Sequence, residues 1–209
     1  RATTINGGAV GVIAQICADL SIPFLTFSTD YVFDGRAAIP YVESDAVGPV
    51  SAYGRSKLRG EELAMTKYPR SLVVRTSWVI SATHDNFIST ILRLAQKGPL
   101  KVVDDQHGKP TIAADLAATA ARVLESGSHG ILHLANHGET TWYRLATTAT
   151  QLAGLDPSLV DPCKSDEFPS AAVRPPYSVL GTERAGEPQL PSWQSSLPSL
   201  VADQVQRIR

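Results

Sequence analysis

Aromatic residues make up only 7% of the 209 residues, and the chain holds two cysteines and one methionine. Cys17 and Cys163 lie far apart, with no Cys-x-x-Cys or Cys/His spacing, which argues against a disulfide scaffold or a structural zinc site. Free thiols in a reducing cytoplasm are the simplest reading. The five histidines share no ligand spacing, so none is assigned to a metal. An excess of one charge is missing too: 19 Lys and Arg face 20 Asp and Glu, a formal net charge of −1. That leaves no electrostatic footprint for nucleic acid or an anionic membrane. No apolar run is long enough to span a bilayer, and no charged-then-apolar leader opens the chain. Internal repeats, heptads and low-complexity tracts are also absent. What remains is a 43% hydrophobic chain, long enough for one large domain or a domain with a lobe.

The periodic segments alternate in type. "TINGGAVGVIAQICADLSIP" has helical spacing at Val10, Ile13, Ala14, Cys17 and Leu20, with Pro23 at its stop. "FLTFST" is a short buried strand. "DYVFDGRAAIPYVESDAVGPVS" carries Gly, Pro and Asp punctuation and reads as a long ordered loop, more often functional than idle. "SAYGRSKLRGEELAMTKY" is a helix between Pro49 and Pro69, and "SLVVRTSWVI" is the next strand. Then follow helix "NFISTILRLAQKG", strand "LKVV", helix "IAADLAATAARVLESG", strand "GILHLAN", and helix "TTWYRLATTATQLAGL", capped by Thr140 or Thr141. This order predicts an α/β fold with a parallel sheet. From about residue 155 prolines and serines become dense, and only "SWQSSLPSLVADQVQRIR" regains a weak helical pattern. Phe168, Val173, Tyr177 and Leu180 in that region suggest a lobe folded onto the sheet rather than a linker.

Two short stretches carry chemistry. In "YGRSK", Tyr53 and Lys57 are four apart and share a helix face. A free phenol has a pKa near ~10, and a neighbouring ammonium favours the phenolate and brings that value nearer neutrality. In "FSTD", Ser28 and Thr29 end a strand, at the edge where open α/β sheets bind ligands. A substrate carbonyl oxygen held between Thr29 and Tyr53 is the functional reading. Taken singly, each stretch has an ordinary explanation: Tyr-x-x-x-Lys arises by chance on amphipathic helices, and Asp30 suits an Asx-type bend. The order strand, Ser-Thr-Asp, loop, helix, Tyr-x-x-x-Lys, strand is far more specific.

"FSTDYVFDG", "PYVESDAVGPVSAYGRSKLRGEE", "VVRTSWVI", "NFISTILRLA", "VVDDQHGKPT" and "RPPYSVL" together resemble the dTDP-4-dehydrorhamnose reductases of the extended short-chain dehydrogenase/reductase superfamily. The resemblance runs along nearly the whole chain. It implies a Rossmann-like doubly wound parallel sheet with a small C-terminal substrate-binding lobe. Residues 1–154 would be the later part of the NAD(P)-binding core with substrate-lobe insertions, and 155–209 mainly the lobe and a C-terminal helix. The implied activity is reduction of the C4 ketone of dTDP-4-dehydro-L-rhamnose to dTDP-L-rhamnose by NADPH or NADH, in the cytoplasm. Tyr53 would be the proton donor, and Lys57 would hold the nicotinamide ribose and tune Tyr53. Thr29 would orient the ketone and adjust the local proton network, Asp30 contact the sugar and Trp78 supply an apolar wall. Core packing is the competing role for Trp78. Arg174 is a candidate diphosphate clamp or an ordinary surface arginine. Asn86 is a ligand contact or a helix cap, Phe87 opens the same helix, and Gln106 and Thr111 shape the substrate side unless Gly108 and Pro110 mark only a turn. A homodimer is among the assemblies allowed.

The pattern also departs from the family. No Gly-x-x-Gly-x-x-Gly turn is present; "NGGAVG" follows no strand and matches a later family helix, in which Asn6 recurs. With Arg1 leading directly into a helix, the chain reads as lacking the first βα units, and an incomplete parallel sheet exposes edges. Pro176–Tyr177 replaces smaller residues. The rival readings are another sugar-nucleotide epimerase or dehydratase of this scaffold, a non-catalytic reductase-like subunit of methionine adenosyltransferase, and an inactive remnant.

Overall fold

The computed structural model describes residues 2–167, 174–184 and 186–208. A π-helical turn, Thr4–Ala9, leads into α1, Val10–Asp19. Strand β1, Leu25–Thr29, runs into a 3-10 turn at Asp30–Val32 and then the long loop. Helix α2, Ala52–Lys67, starts where the Ser51 hydroxyl accepts the Gly54 N–H, so the helix bearing Tyr53 has a fixed first turn. Strands β2, Leu72–Thr76, and β3, Val79–Ile80, precede α3, Phe87–Ala95. Next come β4 (Leu100–Val103), β5 (His107–Gly108), β6 (Thr111–Ile112), α4 (Ala113–Glu125), β7 (Gly130–His133) and β8 (Thr140–Thr141). Helix α5, Trp142–Leu152, is capped by the Thr141 hydroxyl, which accepts the Arg144 N–H. Strand β9, Val160–Cys163, and α6, Trp193–Ile208, complete the chain.

Strands β1, β2 and β7 form one parallel sheet in the order β1-β2-β7, with Thr29 level with Thr76. Strand alternation divides its side chains between two helical layers. Leu72, Val74 and Leu132 pack with Leu116, Ala120 and Val123 of α4. Val73, facing the other way, packs with Ala14 of α1 and Ala64 of α2. The expected α/β layering with a parallel sheet is therefore present. Strand β1 is an edge, and Phe27 on it is exposed, as are Val12, Ile13, Ile16 and Leu20 of α1.

The segment after residue 155 returns to earlier ones: β9 pairs in parallel with β4, Tyr177 bridges to His107, Leu180 to Tyr41, and α6 packs on α3 and α5. Tyr177 and Leu180 thus contribute to a folded lobe; Phe168 and Val173 lie outside the described residues. Two segments differ from the sequence reading. The stretch read as one strand, "SLVVRTSWVI", is cut in two because Trp78 takes a left-handed backbone, φ 44°, which redirects β3 to pair with β6. The first helix begins as a wider π turn. There the Asn6 carbonyl lies so close to Gly60 that a Cβ would come within 2.2 Å of it, and the Asn6 amide donates to Ser56 Oγ at 3.0 Å.

Candidate active site

Thr29 and Tyr53 meet because a glycine lets two segments touch. Gly54 opens α2 directly against the Tyr31 carbonyl; a Cβ there would stand 2.1 Å from that oxygen. The first turn of α2 therefore seats against the turn that follows β1. Tyr31 and Tyr53 rings meet edge to face, 5.9 Å between centroids at 78°. The Thr29 hydroxyl lies within hydrogen-bonding reach of the Tyr53 phenol and donates to Asp30 Oδ1 at 2.9 Å. Tyr53 itself remains 48% exposed.

The electrostatics differ from the sequence expectation. Burial pushes the Tyr53 phenol above its ordinary value; the Thr29 hydrogen bond opposes this and the Asp30 charge adds to it. Lys57 is not among the groups moving it. Its half-buried ammonium is itself pushed down by burial, against the pull of Glu61 one turn further along α2. Helical spacing places Lys57 on the Tyr53 face, but the charge closest in effect to the ammonium is a carboxylate rather than the phenol. The expected lowering of Tyr53 by its i+4 partner is thus absent from this arrangement.

Ser28 is a second correction. Its hydroxyl donates to Glu61, not toward Tyr53. Neighbouring residues of a strand face opposite ways, so only one of the Ser28–Thr29 pair can serve the rim site. On the Ser28 side, Arg75 grips buried Glu61 through Nε (3.0 Å to Oε1) and Nη2 (2.8 Å to Oε2), and its guanidinium lies 5.2 Å above the Phe33 ring. Nη1 of Arg75 is 3.5 Å from His133 Nε2, while His133 Nδ1 donates to the carbonyls of Gly181 (2.9 Å) and Tyr41 (3.2 Å). Burial and the nearby Arg75 charge push His133 down, although Glu43 pulls the other way, so the ring is kept neutral.

The remaining candidates fall into two places. Burial raises the Tyr31 phenol and the Asp30 charge adds to it, while exposed Arg174, next to Pro175 packed on Gly35 (φ 81°), works against that rise. Arg174 therefore lies on the Tyr31 side of the site. Trp78 belongs to a neighbouring cluster on the same rim of the sheet, two residues beyond Thr76. Its indole stacks on Trp142 at 3.7 Å and covers Gly108, where a Cβ would lie 2.4 Å from the ring. A bulky residue at positive φ is a strained conformation, worth on the order of 1–3 kcal/mol. Thr111 is fully buried and donates its N–H to the Trp78 carbonyl, Gln106 is half-buried beside β5, and Phe87 packs on Trp142. Asn86 is a cap: Oδ1 accepts the Ile88 N–H and Nδ2 donates to the carbonyls of Ser81 and His84. At the departure from the family pattern, the Pro176 carbonyl accepts the His107 N–H, and the Tyr177 phenol, pushed up to about 12 chiefly by burial, faces Glu139.

Sequence reasoning missed Trp142, Glu61, Arg75 and Ser178. Trp142 sat in plain view at a helix start, but nothing local showed that it would meet Trp78. Ser178 lies in an irregular segment and carries no pattern at all.

The family described as RmlD substrate binding domain matches residues 1–206. The chain belongs to this family. It is 39% identical to dTDP-4-keto-6-deoxy-D-glucose reductase of Streptomyces niveus, over 97% of this chain and 74% of that protein. It is 38% identical to dTDP-4-dehydrorhamnose reductase of Mycolicibacterium smegmatis, over 97% of this chain and 64% of that one. The crystal structure of dTDP-4-dehydrorhamnose reductase from Bacillus anthracis in complex with NADP superposes with a TM-score of 0.90 at 30% identity, covering 95% of this chain and 72% of that chain. The resemblance carried by the motifs is thereby established, and so is the Rossmann-like fold. The chain spans about two thirds to three quarters of the length of these relatives.

Proposed function

We propose that the protein reduces the C4 ketone of a dTDP-6-deoxyhexose, dTDP-4-dehydro-L-rhamnose, to dTDP-L-rhamnose, with NADPH or NADH as reductant. The observation that carries this reading is the meeting of an exposed Tyr53 phenol with the Thr29 hydroxyl at the C-terminal rim of a parallel sheet. The named reductases among the relatives support it, since both act on a 4-keto sugar of dTDP by their names.

The residues present suit a nicotinamide cofactor. Lys57 offers a half-buried ammonium on the same helix face as Tyr53, a donor pair fitted to ribose hydroxyls, and the bound nicotinamide would supply the hydride. Thr29 orients the ketone oxygen by hydrogen bonding. Tyr53 gives its phenolic proton to that oxygen as negative charge develops on it. Lys57 positions the cofactor ribose. Arg174, exposed and close to Tyr31, pairs with the substrate diphosphate in the geometry guanidinium favours. Trp78, locked against Trp142, gives the deoxysugar a flat apolar wall.

The division into a Rossmann-like core, residues 1–154, and a mainly substrate-binding lobe, 155–209, is part of the proposal. The pairing of β9 with β4 and the bridges at Tyr177 and Leu180 support it. So is a cytoplasmic location, favoured by free Cys17 and Cys163, with a homodimer among the assemblies allowed. No helix among the described residues is long and apolar enough to cross a membrane.

The test is turnover. The full-length gene product, supplied with dTDP-4-dehydro-L-rhamnose and NADPH, should oxidise the cofactor with formation of dTDP-L-rhamnose. Absence of sugar-dependent NADPH and NADH oxidation in a folded full-length protein sinks the reading.

A further inference from the structure

Asp30 is 2% exposed, and it is held unlike the other buried carboxylate near the strand end. Glu61 is saturated by Arg75 and Ser28. Asp30 has Thr29 on Oδ1, while its buried Oδ2 has no hydrogen-bond partner among the described residues. The Ser178 hydroxyl stands close enough to pull Asp30 down somewhat against the burial, although it makes no hydrogen bond to Oδ2, and its contact to the His107 carbonyl is a long 3.5 Å. The groups facing Asp30 are the Thr29 and Ser178 hydroxyls and the phenols of Tyr31 and Tyr53, and Arg174 acts on Tyr31. A carboxylate left half-satisfied in a buried site is costly, and such a group favours its neutral acid form.

We propose that Asp30 is the proton source behind Tyr53, connected to it through the Thr29 hydroxyl. The proposal rests on Tyr53 being the proton donor to the sugar oxygen. Protonation of Asp30 turns its hydrogen bond with Thr29 round, so that Oδ1 donates to Thr29 Oγ1 and the Thr29 proton is free to turn toward Tyr53. After Tyr53 Oη–H breaks and its proton bonds to the C4 oxygen, the phenolate takes the Thr29 hydroxyl proton. Thr29 Oγ1 in turn takes the proton from Asp30 Oδ1. Asp30 is left as a carboxylate and regains a proton from solvent back through Thr29 and the partly exposed Tyr53 once the product has left. Three O–H bonds break, three form, and no electrons change hands in the relay.

The direction of transfer is favourable. Burial raises Asp30 to about 6, whereas the Tyr53 phenol lies above its ordinary value of about 10. Neutralising Asp30 also removes the charge that raises Tyr53, which makes the phenol a better acid. Direct contact of Asp30 with sugar, the role implied by the resemblance, sits poorly with an outer oxygen sealed from solvent.

Two measurements test the relay. Infrared titration of the carboxyl band in the full-length protein without ligands, assigned by its loss in Asp30→Asn, should show an acid that ionises near pH 6. Ionisation near the ordinary 3.8 overturns the proposal. In the second, wild-type kcat should fall as pH rises through about 6, and Asp30→Asn should lower kcat about tenfold or more, flatten that limb and leave the sugar-nucleotide KM within about threefold. If Asp30→Asn does not fold, the pH limb is read in Thr29→Val instead: on its residual turnover the fall through about 6 should vanish and should return in Thr29→Ser, whereas a limb that persists in Thr29→Val overturns the relay. A raised KM with kcat and its pH limb intact makes Asp30 a sugar contact instead and overturns the relay. Wild-type turnover in Tyr53→Phe would refute the parent reading; an inactive Tyr53→Phe beside an unchanged pH limb in Asp30→Asn would refute the relay alone.

Discussion

Ser28 and Thr29 carry the same functional group, sit side by side and end the same strand, yet they belong to opposite kinds of polar cluster. On the Ser28 side, Glu61, Arg75 and His133 saturate one another, and every contact points into the core. On the Thr29 side, Asp30 keeps an oxygen with no partner among the described residues and Tyr53 stays partly exposed. A saturated buried network specifies a structure; an unsaturated one at a rim has capacity left for a ligand or a proton. The two sides also respond to pH with opposite signs. His133 is pushed below its ordinary 6.5, so its side is stable above that value and loses stability as pH falls through it. Asp30 is raised from 3.8 to about 6, so its side is most stable at low pH and loses stability as pH rises through about 6.

The contrast breaks most visibly at Tyr53. Tyr53→Phe should cut turnover by about 10²–10⁴-fold while the unfolding midpoint stays put, checked by steady-state kinetics beside urea denaturation. On the other side, Arg75→Met leaves Glu61 buried without its cation and should cost about 3–5 kcal/mol of stability, checked by the same denaturation curves. Asp30→Asn should stabilise the protein by on the order of 3 kcal/mol at pH 8, the difference between about 6 and the ordinary 3.8, and by almost nothing at pH 3.5. Stabilisation of equal size at both pH values contradicts the burial penalty. Away from both clusters, Thr141→Ala removes only the cap of α5 and should lower stability by about 1 kcal/mol with unchanged turnover.

The placement of three candidate residues was legible in the sequence, because they fall in a fixed order along the chain: Thr29 at a strand end, Tyr53 and Lys57 in the first turns of the next long helix. Local pattern could not say which of two adjacent hydroxyls faces the site. That depended on Glu61, eight residues after Tyr53, whose only local sign was being an acid on an amphipathic helix. Arg174 had no pattern of its own, and it arrives through the packing of Pro175 on Gly35. The break at Trp78 was hidden inside an apolar run because a left-handed residue leaves no mark when it is not glycine. The tuning of Tyr53 by Lys57 followed from spacing alone, and spacing does not report that a carboxylate on the same helix competes for the ammonium.

The division between the two sides is tested most directly by measuring kcat and the urea midpoint together on Ser28→Ala and Thr29→Val in the full-length protein. Thr29→Val should lose about 10²-fold in kcat with near-native stability, and Ser28→Ala should lose about 1.5–3 kcal/mol of stability with near-native kcat. A fully active Thr29→Val, or a stable but inactive Ser28→Ala, contradicts the account.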